Sequence, residues 1–301
     1  MLCKYCYSLT LVKIGKVNGK QRYRCRDCGK TFLEDENFPS MRNKRHIIAV
    51  AMDLYFDGMS VRKVQRQIEY IFMVKVSQVT IHNWINKYSL VVKEYVDSLK
   101  ADLGNEWHVD ETVIKVKGEQ KWFWEIIDKE TRFMVAGHLS DKRTIKDGVK
   151  LFREAKKRAI SNPQVIFSDG CFTYKQAFNK VFYDHHRSCK LVQKVGLNGR
   201  TNQNVIERLH GTLKDMLRAR RGMDSGVKTG AMLKGWFVHY NFLRPHSALG
   251  GKTPAEVAGL DVDTTNRWES LIDQAIKWKN KTGGLVRITT EVGQMVKVSI
   301  S

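Results

Sequence analysis

From Trp107 onward the apolar residues change their period, and that change constrains the fold more than any other feature of the chain. Trp107-His-Val-Asp-Glu-Thr-Val-Ile-Lys, Lys121-Trp-Phe-Trp-Glu-Ile-Ile-Asp and Phe133-Met-Val-Ala-Gly-His-Leu alternate or run apolar, which predicts three consecutive strands. Thr144 to Ala159 then carries its apolar residues at helical spacing. Val165-Ile-Phe reads as a buried strand that ends in Ser168-Asp169-Gly170, and Tyr174 to Phe182 as a second helix. A further helix begins near Asn204.

The order β-β-β-α-β-α is that of an α/β, ribonuclease H-like mixed-sheet core, in which the first and fourth strands are neighbours. Asp110 on the first strand and Asp169 at the exit of the fourth can then converge, with Glu207 arriving on the later helix. Three repelling carboxylates at one point call for a hard cation, because Mg²⁺ prefers oxygen ligands. Two such ions, Mg²⁺ or Mn²⁺, would stabilise the attacking and leaving oxygens of a displacement at phosphorus. Net charge agrees: 52 Lys and Arg stand against 31 Asp and Glu, a balance of +21 over 301 residues, which predicts a polyanionic partner. With 42% apolar residues, 22 Gly and only 4 Pro, disorder and collagen-like repeats are excluded.

Ahead of this core lie four of the six cysteines, Cys3, Cys6, Cys25 and Cys28, as two Cys-x-x-Cys pairs. Clustering in 28 residues favours a metal over disulfides, and four thiolates close a tetrahedron around a structural Zn²⁺ with no open position. Val17-Asn18-Gly19-Lys20 predicts a hairpin turn between the pairs, and Gly29 lets the second knuckle turn, whereas Tyr7 fills that place in the first. Residues 1–38 are therefore expected to be a zinc ribbon; residues 1–45 hold eleven Lys and Arg against four Asp and Glu, enough for phosphate contacts. Residues 40–96 predict three helices with tight connections, Gly58 stopping the first, Ser60 and Ser77 capping the next two. Such a set suits a helix-turn-helix DNA-binding domain, or else a helical spacer. If its third helix reads DNA, Gln78, His82, Asn83 and Lys87 are the side chains that reach bases or phosphates.

Taken together, the motifs resemble a DDE transposase of prokaryotic insertion sequences, of the integrase-like type. The residues that carry the resemblance are Trp107-His-Val-Asp110-Glu111-Thr112, Ser168-Asp169-Gly170 and Asn204-Val-Ile-Glu207-Arg-Leu-His-Gly-Thr-Leu-Lys214. His239-Tyr-Asn-Phe-Leu-Arg-Pro-His-Ser-Ala-Leu-Gly250 and Thr253-Pro-Ala-Glu256 resemble the segment that closes these cores. The 37 residues between Asp169 and Glu207 are close to the spacing of the family, and Lys214 matches the basic residue the family places seven positions past its Glu. The resemblance implies a DDE core over residues 102–259 and catalysis by Asp110, Asp169 and Glu207. It also implies a homodimer or higher oligomer on DNA, joining transposon ends to target DNA. Lys214, Arg218 and Arg221 share one helical stripe with Glu207 and are expected to contact a DNA strand, Arg220 adding sequence-independent affinity.

Other polar residues have quieter readings. Alternation turns Glu111 away from Asp110, so catalysis is expected of Asp110 alone. His210, a lone histidine one turn past Glu207, reads as structural; Asp128 and Asp141 read as surface acids, and Asp184-His-His as a loop. Cys171 reads as an inert packing cysteine, and Trp122 and Trp124 as sheet core or edge. Residues 260–301 predict a C-terminal helix and a β-hairpin. With no apolar run near 20 residues and no apolar signal core, no membrane role is expected, and the location is cytoplasmic, at the nucleoid. Three functions fit: a transposase that binds terminal inverted repeats, a structure-selective nuclease or resolvase, and a domesticated DNA-binding regulator.

Overall fold

The computed structural model describes residues 1–183, 188–193, 204–220, 223 and 226–282. They fall into two compact units, residues 1–45 with 273–282 and the described part of residues 46–272. The β-hairpin expected within residues 285–300, the segment Asp184-His-His and Arg221 lie outside the described residues.

In the first unit, β1 (Leu11–Val17), β2 (Lys20–Cys25) and β3 (Thr31–Leu33) form an antiparallel sheet in that order. Val17 pairs with Lys20, and the two residues between them take left-handed backbone, Asn18 at φ 49° and Gly19 at φ 77°. A two-residue turn of that hand matches the twist of the strands it joins, which is why Asn-Gly sits there. Cys3, Cys25 and Phe32 make the buried centre, and Tyr23 stacks on Phe32 with ring centroids 5.9 Å apart. So small a core needs a further source of stability.

The second unit opens on helices α1 (Arg45–Phe56), α2 (Val61–Phe72) and α3 (Gln78–Val96). Gly58 at φ 103° ends the first helix. The hydroxyl of Ser60 accepts from Lys63 N at 3.4 Å, and that of Ser77 from Thr80 N at 3.1 Å, satisfying amides that open each helix. Then come β4 (Glu106–Val116), β5 (Glu119–Asp128), β6 (Met134–Ser140), α4 (Ile145–Arg158), β7 (Val165–Ser168), α5 (Phe172–Phe182), β8 (Lys190–Gln193) and α6 (Asn204–Arg218). The sheet order is β6-β5-β4-β7-β8, with β4, β5 and β6 antiparallel and β4, β7 and β8 parallel. That is the ribonuclease H-like arrangement which the alternation of strands and helices predicts, and β4 and β7 are indeed neighbours.

Alternation assigns each face of the sheet its helices. Trp124 of β5 packs on Tyr174 of α5, ring centroids 5.6 Å apart, whereas its neighbour Glu125 turns to His210 of α6. α4 lies with α5, its first turn closed by a Thr144–Asp147 capping box. α7 (Gly226–Val238) lies against α3 and β6, and a π-helical turn at His239–Leu243 follows it. There the buried Asn241 side chain accepts from Met134 N at 2.8 Å and donates to Met134 O at 3.0 Å, fastening the closing segment to β6. α8 (Pro254–Val257) and α9 (Trp268–Lys281) complete the chain as described.

Candidate active site and metal centres

Asp110 sits on β4, Asp169 one residue beyond β7, and both belong to one cluster. Carboxylate oxygens of Asp110, Glu111 and Asp169 all lie within 4.8 Å of one another. Glu111 corrects the expectation that alternation removes it. Its side chain does leave by the other face, where the Tyr174 hydroxyl donates to it and Arg143 pairs with it, yet its carboxylate still reaches the cluster. The reason is the length of the strands: β7 pairs with β4 only over Glu106–His108, so beyond His108 no described strand pairs along that edge of β4, and carboxylates leaving by opposite faces can still meet there.

Burial raises the carboxyls of Asp110 and Glu111 above their ordinary range, Glu111 to about 7, with the Tyr174 hydroxyl and Arg143 acting against the rise. Like charges crowd the same point, since Asp110 and Asp169 each add to the shift of Glu111. Arg143 answers them, its Nη2 3.4 Å from Asp169 Oδ2 and its guanidinium over the Trp122 ring at 5.2 Å. Oxygen donors this close, already drawing a cation, fit a hard divalent ion. Asp169 is held by its own loop: Oδ1 accepts from Cys171 N at 3.0 Å, and Gln193 Nε2 donates to its carbonyl at 3.2 Å.

Glu207 stands on α6, which lies over β4 and β5, but its exposed side chain is not among the clustered oxygens. One turn later His210 is buried, with Nδ1 3.9 Å from Asp110 Oδ2 and Nε2 2.9 Å from Glu125 Oε2. Glu125 escapes a reading by pattern, although a lone acid inside Trp-Phe-Trp-Glu-Ile-Ile is a signal that it has a buried partner. Asp128 is a second correction. It is buried, not a surface acid, and accepts from Thr131 N at 2.8 Å and Thr131 Oγ1 at 2.6 Å. Asp141 is exposed and paired with Lys121 at 2.8 Å.

Of the basic stripe on α6, Lys214 is exposed and Arg218 is exposed beside Asp215 at 3.0 Å. Arg220 departs from expectation: it donates to Tyr55 O at 2.7 Å and covers the Tyr55 ring at 4.0 Å, so its charge is spent inside the fold. On α3, Gln78, His82 and Asn83 are exposed and Lys87 is half-buried, while Gln78 also donates to Gln65 at 3.1 Å.

In the first unit Cys3, Cys6, Cys25 and Cys28 converge, with Sγ–Sγ distances of 3.7 Å for Cys3–Cys28 and 3.5 Å for Cys6–Cys25. A tetrahedron with bonds of about 2.3 Å has edges of about 3.8 Å, so the four sulfurs fit one zinc-sized ion. Tyr7 at φ 61° and Gly29 at φ 71° make the equivalent left-handed turn after each pair.

A model of the DDE domain of the IS240 transposase type matches residues 104–246. The transposase of the insertion sequence-like element IS431mec from Staphylococcus aureus is 25% identical over 145 residues, covering 47% of this chain and 60% of that protein. An uncharacterised 48.3 kDa protein of insertion element ISM1 from Methanobrevibacter smithii is 23% identical over 172 residues, covering 51% of this chain and 42% of that protein. The chain thus spans about half the length of these curated relatives. Among solved structures, the HTLV-2 integrase catalytic core domain in complex with magnesium is similar at 19% identity and a TM-score of 0.39, covering 53% of this chain and 98% of that one. Residues 104–246 are thus similar to the DDE domain found in insertion-sequence transposases.

Proposed function

We propose that the protein is a DNA transposase that binds the terminal inverted repeats of its own element, cleaves a strand at each end and joins the ends to target DNA. The observation that supports this most directly is the cluster of Asp110, Glu111 and Asp169 oxygens within 4.8 Å at the open edge of β4, inside the segment that matches the DDE domain. In this reading Asp110, Asp169 and Glu207 hold the catalytic metal, and Lys214, Arg218 and Arg221 line the DNA strand beside them. Two Mg²⁺ or Mn²⁺ ions, when bound, supply the positive charge that attacking and leaving oxygens need in phosphoryl transfer.

Glu207, whose side chain stands outside the cluster on α6, would turn toward it and complete its ligand set, while Lys214, two turns on, would meet a phosphate next to the scissile bond. Attack by water on the phosphorus breaks the bond to the 3′ oxygen and leaves a free 3′-hydroxyl. That hydroxyl attacks target DNA in the same site, forming the new phosphodiester and releasing a target 3′-hydroxyl. Asp169 stays aligned throughout because its loop is fastened by Gln193 and Cys171.

The remaining parts take roles around that core, residues 102–259. Residues 1–38 hold structural Zn²⁺ as a ribbon, residues 40–96 dock on the terminal repeat as a helix-turn-helix through Gln78, His82, Asn83 and Lys87, and residues 260–301 form the C-terminal part. Two or more copies assemble on DNA to bring both ends together, at the nucleoid; among the described residues no helix is long and apolar enough to cross a membrane.

A pre-cleaved repeat end and a supercoiled plasmid target test the whole reading with Mg²⁺ present. Joined product is expected from the natural chain and is expected to disappear with Asp110→Asn, while end binding persists. Cleavage without any joining would establish the nuclease instead, and end binding with neither reaction the regulator.

A further inference from the structure

Asp110 faces polar groups on two sides. Its Oδ1 accepts from Glu111 N at 2.9 Å, on its own strand, and its Oδ2 faces His210 Nδ1 at 3.9 Å, from α6. The second contact is anchored in turn. Glu125 is the register partner of Asp110 across β4 and β5, it is 0% exposed, and its Oε2 lies 2.9 Å from His210 Nε2. Neither Glu125 oxygen nor His210 Nε2 has a partner in hydrogen-bond geometry among the described residues, so the 2.9 Å approach is a close ion pair. The imidazole is the nearest polar group described for this carboxylate, with the Lys214 charge acting from further off.

A buried carboxylate and imidazole are an uneconomical way to seat a helix on a sheet. Apolar side chains of the same volume would seat it without desolvating any charge, and buried ion pairs replaced in that way are often neutral or stabilising. The pair nevertheless lies where one of its ends meets Asp110 and where its helix carries Glu207 one turn away. On a helix, residues three apart share a face, so the azimuth that seats His210 beside Asp110 also turns Glu207 toward the same edge of the sheet.

Resting on the reading of Asp110 and Glu207 as metal ligands, we propose that His210 is a positioning residue. Buried Glu125 fixes its imidazole, and His210 in turn aligns the Asp110 carboxylate and sets the orientation of Glu207 on α6. Neither Glu125 nor His210 touches the metal or the DNA. The arrangement parallels the outer contacts that orient metal ligands in general, whose loss weakens metal affinity or activity by about 10- to 100-fold.

The test uses the full chain and a paired apolar replacement, Glu125→Met with His210→Leu, which removes the orientation without leaving an unpaired buried charge. Three quantities are read: thermal melting, Mn²⁺ affinity of the DNA-free protein by electron paramagnetic resonance, and the rate of joining a pre-cleaved end. A variant that melts with the natural chain yet binds Mn²⁺ about 10-fold more weakly, and joins at least 10-fold more slowly, is the expected result. Mn²⁺ affinity and joining both within twofold of the natural chain would reduce the pair to packing and overturn the proposal. If the double variant fails to fold, Glu125→Gln is read by the same criteria. Asp110→Asn separates the two levels of inference: Mn²⁺ binding and joining that survive it sink the metal-site reading itself, whereas their loss beside an unaffected paired variant sinks only the role of His210.

Discussion

Arg143 and Asp169 face each other with Nη2 3.4 Å from Oδ2, and the same guanidinium pairs with Glu111. A fixed positive charge therefore stands among the oxygens that fit a divalent ion, and the two compete for the same carboxylates. Arg143→Gln is expected to bind Mn²⁺ several-fold more tightly at pH 8, read by calorimetry on the DNA-free protein. Weaker binding would mean that the guanidinium serves to keep Glu111 ionised, since burial drives that carboxyl up to about 7 and Arg143 opposes it.

Glu111 and Glu207 are rivals for the third carboxylate position. Glu111 lies in the cluster but is tied to Tyr174 and Arg143, whereas Glu207 is exposed on the helix above it. Glu207→Gln is expected to lower joining by at least about 10³-fold, and Glu111→Gln by about 10-fold through its effect on Arg143, an outer contact. The reverse ranking in a single-turnover joining assay would hand the ligand role to Glu111.

A zinc ion on the four sulfurs would supply stability that a buried centre of little more than Cys3, Cys25 and Phe32 lacks. Cys25→Ser is expected to lose the single bound zinc and to weaken binding to the terminal repeat at least tenfold. Joining on a pre-cleaved end supplied at high concentration should survive far better. Zinc retained at one per chain, by atomic emission, would contradict the four-sulfur site.

His138 makes the fold sensitive to acid. Burial, with Lys150 adding to it and Asp147 opposing, holds its imidazole down at about 4 against an ordinary 6.5, so the folded chain keeps it neutral where the unfolded chain takes a proton. The stability this carries is present in full above pH 6.5 and is lost as pH falls toward 4, up to about 3 kcal/mol. Urea unfolding of the natural chain and of His138→Gln, each at pH 7.5 and 5, should show a smaller loss in the variant. Equal losses would place the acid sensitivity elsewhere.

Gly235 lets α3 and α7 approach. A methyl group there would stand 2.2 Å from both Phe56 Cζ and Ser89 Oγ, closer than atoms can sit. Gly235→Ala is expected to destabilise the fold by roughly 1–3 kcal/mol in chemical denaturation, with an unchanged m-value. No loss would mean that Phe56 and Ser89 move aside at little cost.

Local chemistry made much of this legible from the chain alone. The caps at Ser60 and Ser77, the Asn18-Gly19 turn, the stop at Gly58 and the alternation through Trp107 and Lys121 each act within a few residues, so each can be read without knowing what lies across the fold. The convergence of the cysteines followed from their spacing, and the approach of Asp110 to Asp169 from the strand order. What the tertiary structure alone decided is where a strand loses its neighbour and which charge faces which. Glu111 joins the cluster because β7 stops short of it, Asp128 is buried because Thr131 folds back upon it, and Arg220 turns inward to Tyr55. Glu125 meets a histidine 85 positions away, an encounter between two groups whose electrostatic partner is set by the packing of a helix on a sheet and by no property of the residues beside them in sequence.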